Sequence, residues 1–134
     1  MLRLFKAKIG SNVHVYPTVR ISIPWNLSID DGSAVGDRVI LYALGPISLG
    51  RATTVSQNSH LCAGSHDYRH AHKPLTKPPI TIGDSVWICA DAFVGPGVNI
   101  GDGAIVGARG VVIKNVPERT IVAGNPAREI NHLD

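Results

Sequence analysis

Four of the chain's six histidines, His60, His66, His70 and His72, crowd into thirteen positions, and they frame what chemistry it could do. A neutral imidazole at a fixed position can take a proton from a substrate hydroxyl near neutral pH, a step that contributes on the order of 10²–10⁴-fold. The same ring is a common zinc ligand, so a metal site is the rival reading. His70 and His72 lie in a polar stretch, however, and no Cys or carboxylate completes a familiar ligand spacing; no metal residue is assigned. A serine nucleophile has less support still. Ser65 directly precedes His66, but it lacks a nucleophile elbow and an identifiable third partner. Cys62 and Cys89 are too few for a disulfide framework and suit a reducing cytosol.

What must position these groups is legible as a repeat. An aliphatic recurs every six residues: Ile9, Val15, Ile21; Ile29, Val35, Leu41; Leu49, Val55, Leu61; Ile82, Ile88, Val94; Ile100, Val106, Val112. All are Ile, Leu or Val, although these make up only 37 of the 134 residues. Four places on comes a second set, Val13, Val19, Trp25, Ser33, Val39 and onward to Val116, small or β-branched apart from Trp25. Gly often follows the aliphatic directly, as at Gly10, Gly36, Gly50 and Gly83, which suggests a backbone shape that other residues resist. Six residues hold one short strand and one turn. Three such units make a triangular coil, and stacked coils share one aliphatic core. An alternating β-sandwich would not hold this period. The expectation is an all-β, parallel β-helix of about five triangular coils, a single domain over 1–134. The first two coils each carry two extra residues, near Leu27-Ser28 and Ile47-Ser48.

The register breaks once, after His66. Residues 67–79 are polar and hold three prolines, and they read as a stiffened, protruding loop. His66 therefore stands where a rigid coil meets a projecting arm. After Val112 the pattern fades, and 117–134 reads as a short C-terminal cap over an open end. The formal charge of +3 is too mild for nucleic acid but compatible with a polyanionic small ligand. The start, Met1 to Lys6, is amphipathic without a signal-peptide core, and no apolar run is long enough for a membrane span. A cytoplasmic protein is expected.

With those residues laid out, a family resemblance emerges. Ser65-His66-Asp67-Tyr68, the run from Lys77 to Ile88, Val94-Gly95-Pro96-Gly97-Val98, Val106-Gly107-Ala108 and Val122 to Arg128 resemble the hexapeptide-repeat O-acetyltransferases. Trp25-Asn26-Leu27 and Leu41 to Pro46 look most like the colanic-acid-biosynthesis type, within the wider maltose, galactoside and nodulation-factor group. The resemblance implies a left-handed helix, whereas ordinary crossover preference would suggest right-handed. It also implies a homotrimer with sites between subunits and acetyl-CoA as cosubstrate, with no permanently bound cofactor. His66 would be the general base on a sugar or oligosaccharide hydroxyl, in surface polysaccharide biosynthesis. The Ala90 N–H would hold the oxyanion, Ala108 and Ile113 would line the pantetheine path, and Lys114 and Arg128 would meet the CoA phosphates.

Two departures stand out. Arg109 replaces a residue that is often small, and Ala43 stands where close relatives often carry Asn. Asp67 could orient His66 or cap the turn that begins the arm. The alternatives are a zinc enzyme of the β-helix carbonic-anhydrase type and a non-catalytic scaffold. The zinc pattern wants an earlier His up to two coils ahead, and His14 is too distant.

Overall fold

The computed structural model describes residues 2–134; Met1 lies outside the described residues. Every register aliphatic from Ile29 to Val112 is at most 2% exposed, so the six-residue period is the core. Ile9, Val15 and Ile21 are only partly buried, because their strands are end strands of the described sheets and pair on one side only.

Three parallel sheets form the faces of a prism. The first face stacks strands Lys8–Ile9, Leu27–Ile29, Ile47–Leu49, Ile80–Ile82 and Asn99–Ile100. The second runs from His14–Val15 through Ala34–Val35, Thr54–Val55, Trp87–Ile88 and Ile105–Val106 to Thr120–Ala123. The third stacks Arg20–Ser22, Ile40–Tyr42, His60–Cys62, Phe93–Val94 and Val111–Val112. Register pairs keep aliphatic on aliphatic, as in Ile29 with Leu49 and Leu61 with Val94. The extra residues of the early coils lengthen the first-face strands, so Leu27 and Ile47 also point inward, and Ile80 stacks on Ile47.

The glycines after the aliphatics do a different job from the one their pattern suggests. The left-handed backbone lies two places further on, at Asn12, Arg38, Ala52, Ser85 and Arg109, with φ between 50° and 61°. At Gly50, by contrast, a Cβ would sit 2.5 Å from the Gly83 backbone, and at Gly101 2.5 Å from the Glu118 nitrogen. These glycines let successive coils approach at strand-pairing distance.

The stack continues past five full coils into a partial sixth. Val116 bridges to Ile100, and Thr120–Ala123 adds in parallel to Ile105–Val106. Only then does the chain reverse, with Arg128–His132 pairing antiparallel to Thr120–Ala123. The region read as a cap, 117–134, is thus a last rung plus a returning strand. Trp25 also departs from the pattern: it sits on a short 3-10 turn, Pro24–Asn26, and is 62% exposed.

Candidate active site

The protruding loop leaves the prism at the corner between the third and first faces, where Ile23 to Asn26 and Ala43 to Pro46 form the corresponding bends of earlier coils. Those bends are tied together: Asn26 Nδ2 donates to the Ala43 and Leu44 carbonyls, and the Gly45 N–H donates to the Ala63 carbonyl. Ala43 is fully buried, so its side chain belongs to the core rather than to an acceptor pocket in this chain.

The arm takes the form of a small β-hairpin. Ser65–His66 pairs antiparallel with Leu75–Thr76, and the Asp67 N–H donates to the Pro74 carbonyl. Its returning leg lies against the prism, where a Cβ on Gly45 would run into the Lys77 backbone. The His66 side chain is exposed, with Nδ1 2.8 Å from the Lys73 carbonyl oxygen. A carbonyl can only accept, so in the neutral ring the proton sits on Nδ1 and Nε2 carries the free lone pair.

Asp67 does not touch this ring. Its carboxylate accepts from Arg69 Nε at 2.8 Å, from Arg69 Nη2 at 2.9 Å and from the Arg69 N–H at 3.1 Å. The Arg69 guanidinium and N–H hold that carboxyl below its usual range. Of the two roles open to Asp67, turn capping is the one the geometry supports. The residue that orients His66 is Lys73, through its backbone, and a side-chain reading could not have found it.

Ala90 and Ala108 occupy equivalent places in successive coils, at the corner between the second and third faces. The same coil position at the preceding corner, between the first and second faces, is filled by Asp residues. Asp84 accepts from the Arg51 N–H at 2.8 Å, and Asp102 from the Asp84 N–H at 2.7 Å. Alanine offers no such acceptor. Among the described residues, neither the Ala90 N–H nor the Ala108 N–H has a hydrogen-bond partner. The Ala90 carbonyl is engaged, accepting from the Arg109 N–H at 2.9 Å, and Arg109 itself makes the left-handed turn with φ 61°. Two unpaired donors along one corner suit an elongated, acceptor-rich ligand.

The six expected site residues do not converge within one chain. His66, Ile113 and Lys114 lie along the arm corner; Ala90 and Ala108 lie along the other. Arg128 follows the segment that closes over Val111, where the Val111 N–H donates to Gly124 and the Ala127 N–H donates to Val111. Ile113 is 57% exposed, and Lys114 and Arg128 are exposed. The whole third face separates the two corners. It carries an edge-to-face series on its outer side, Tyr42 to His60 at 6.5 Å and His60 to Phe93 at 5.4 Å. Burial pushes the His60 imidazole pKa down, and its Nε2 has no partner among the described residues.

The rival chemistries find little here. Among the described residues, no three His, Cys, Asp or Glu side chains come together as a metal would require. Burial raises the Cys89 thiol pKa, which makes it a poor nucleophile despite its place beside Ala90. Among the described residues, no helix is long and apolar enough to cross a membrane.

Comparison with known proteins adds an independent line. No family model matches the chain. It is 50% identical over 127 residues to the colanic acid biosynthesis acetyltransferase WcaF of Escherichia coli strain K12, covering 95% of this chain and 70% of that protein. Its fold matches a maltose O-acetyltransferase from Clostridium difficile 630 with a TM-score of 0.93 at 26% identity, over 99% of this chain and 73% of that one. It also matches a hexapeptide-repeat acetyltransferase of Vibrio cholerae in complex with acetyl coenzyme A, with a TM-score of 0.85 at 27% identity, over 99% of this chain and 74% of that one. With its six-residue core register, its arm after His66 and a half-identical relative along nearly its whole length, the chain belongs to the hexapeptide-repeat acetyltransferases.

Proposed function

We propose that this acetyltransferase moves the acetyl group of acetyl-CoA directly to a sugar or oligosaccharide hydroxyl, in surface polysaccharide biosynthesis. The single observation that carries the mechanism is the hydrogen bond from His66 Nδ1 to the Lys73 carbonyl. It leaves Nε2 as the base. The acceptor hydroxyl gives its proton to Nε2 while its oxygen attacks the thioester carbonyl. The Ala90 N–H, otherwise unpaired, receives the developing oxyanion; such a donor is typically worth roughly 10²–10³-fold. Collapse breaks the carbon–sulfur bond, and the proton passes from His66 to the departing sulfur, which leaves as free CoA thiol. No covalent enzyme intermediate is needed, in keeping with the raised Cys89 pKa.

The acetyl-CoA complex of the Vibrio cholerae relative supports the donor. The WcaF likeness supports the polysaccharide setting. The separation of His66 from Ala90 and Ala108 supports a homotrimer, in which one subunit's arm corner meets the next subunit's alanine corner. Each third face, with Tyr42, His60 and Phe93, would then turn toward the three-fold axis. Pantetheine would run past Ala108 and Ile113, and Lys114 and Arg128 would hold the phosphates. Residues 67–79 would wall the donor in, and residues 1–134 would act as one domain in the cytoplasm. Incubation with acetyl-CoA and a panel of sugars should release CoA thiol and yield an acetyl ester. Thiol release that no sugar accelerates would count against the reading.

A further inference from the structure

We propose that the N-terminal end of the prism docks on an anionic lipid bilayer. The charge along the chain is unevenly spread. Residues 1–29 hold four basic side chains, Arg3, Lys6, Lys8 and Arg20, and none of the ten Asp or Glu residues. Among the described residues, Lys6, Lys8 and Arg20 pair with no acid.

The same end is apolar at its tip. The 3-10 turn Leu2–Phe5 packs on the turn Pro24–Asn26, and Leu4, Phe5, Lys6 and Trp25 line one shallow cleft. Leu4 is 80% exposed, Phe5 50% and Trp25 62%. This patch is held in place: Arg3 Nη2 donates to the Gly10 carbonyl at 2.7 Å and Arg3 Nε to the Ile9 carbonyl at 3.2 Å. Exposed aromatic and aliphatic side chains beside Lys6, with Lys8 on the adjoining strand, match a surface that is negatively charged outside and apolar just beneath.

A second copy stacked end to end is the competing occupant, because the first-coil strands are open sheet edges. That arrangement would press together two tips that carry Arg3, Lys6 and Lys8, with the nearest carboxylates, Asp31 and Asp37, one coil in and already accepting from Ser11 and Thr18. Like charges oppose it, whereas anionic headgroups neutralise them. The open edges confine docking to headgroup depth, with only Leu4, Phe5 and Trp25 reaching the acyl boundary.

The test uses the 134-residue chain carrying Trp87→Phe, which leaves Trp25 as its sole tryptophan. Vesicles of phosphatidylglycerol and phosphatidylcholine should sediment the protein and shift Trp25 emission to the blue, and salt should reverse both. Lys6→Glu with Lys8→Glu should weaken partitioning by more than about tenfold, and Leu4→Ser should weaken it as well. Both variants should melt like the parent by circular dichroism. The proposal is overturned by any of three results: no sedimentation with the anionic vesicles at low salt, equal binding to pure phosphatidylcholine, or end-to-end assembly in sedimentation velocity that Leu4→Ser abolishes. None of these readouts involves acetyl transfer, so this inference and the proposed reaction fail separately.

Discussion

The backbone carbonyl of Lys73 lies 2.8 Å from Nδ1 of His66, so the turn of the hairpin fixes which nitrogen of the ring is free. Seven residues separate the partners, and antiparallel pairing of His66 with Leu75 closes that gap. A ring held through main chain keeps its orientation whatever side chain stands at 73. His66→Ala should lower kcat by roughly 10²–10⁴-fold, as measured by thiol release. Its melting temperature should stay put, because the imidazole is exposed. Thiol release at the parental rate would remove His66 from the mechanism.

Because the two corners lie on opposite edges of the third face, each site should need two chains. His66→Ala and Ala108→Trp should each be inactive alone. Unfolded together and reassembled, they should regain activity, since some interfaces then pair an intact His66 with an intact Ala108. No recovery in mixtures that demonstrably co-assemble would place the whole site in one chain.

Lys114 and Arg128 are exposed and test the phosphate assignment. Lys114→Ala and Arg128→Ala should each raise KM for acetyl-CoA by roughly tenfold while leaving kcat within about twofold. Added salt should narrow the gap to the parent. Unchanged KM values would leave both residues as ordinary surface charges.

His60 should make stability pH-dependent. Burial lowers its folded-state pKa below the ordinary 6.5, so the unfolded chain binds the proton more tightly. Stability is then full above 6.5 and falls as the pH drops through the lowered value. Urea midpoints measured across that range should decline toward acid in the parent and more gently in His60→Leu. Parallel curves for the two proteins would assign the decline to other groups.

The coil-contact glycines make a stability prediction of their own. Gly50→Ala pushes a methyl against the Gly83 backbone at 2.5 Å and should cost about 1–3 kcal/mol. Ala52→Gly, at φ 50°, exchanges relief of a left-handed backbone for greater unfolded-state freedom and should be near neutral, within about 0.5 kcal/mol. Equal losses in urea titrations would contradict the division of labour between the two positions.

By itself the sequence determined the prism. A period of six in aliphatics such as Leu61 and Ile88 is enough, because each repeat can bury its face only against its neighbours, and the core is therefore local in sequence. It also located the break after His66. What only the tertiary structure decided were relations between backbones. Lys73 orients His66 through a carbonyl that no residue type advertises, and Asp67, the more conspicuous neighbour, turns to Arg69. Ala90 and Ala108 leave their N–H groups unpaired among the described residues, where Asp84 and Asp102 supply acceptors at the equivalent corner. The glycine after each aliphatic was visible as a pattern, but its purpose was not: spacing cannot tell a demanding φ from the close approach of the next coil. The sharpest example is the split of the expected site residues between two corners. His66 and Ala90 lie 24 residues apart in the chain, yet the winding of one coil puts a whole face between them.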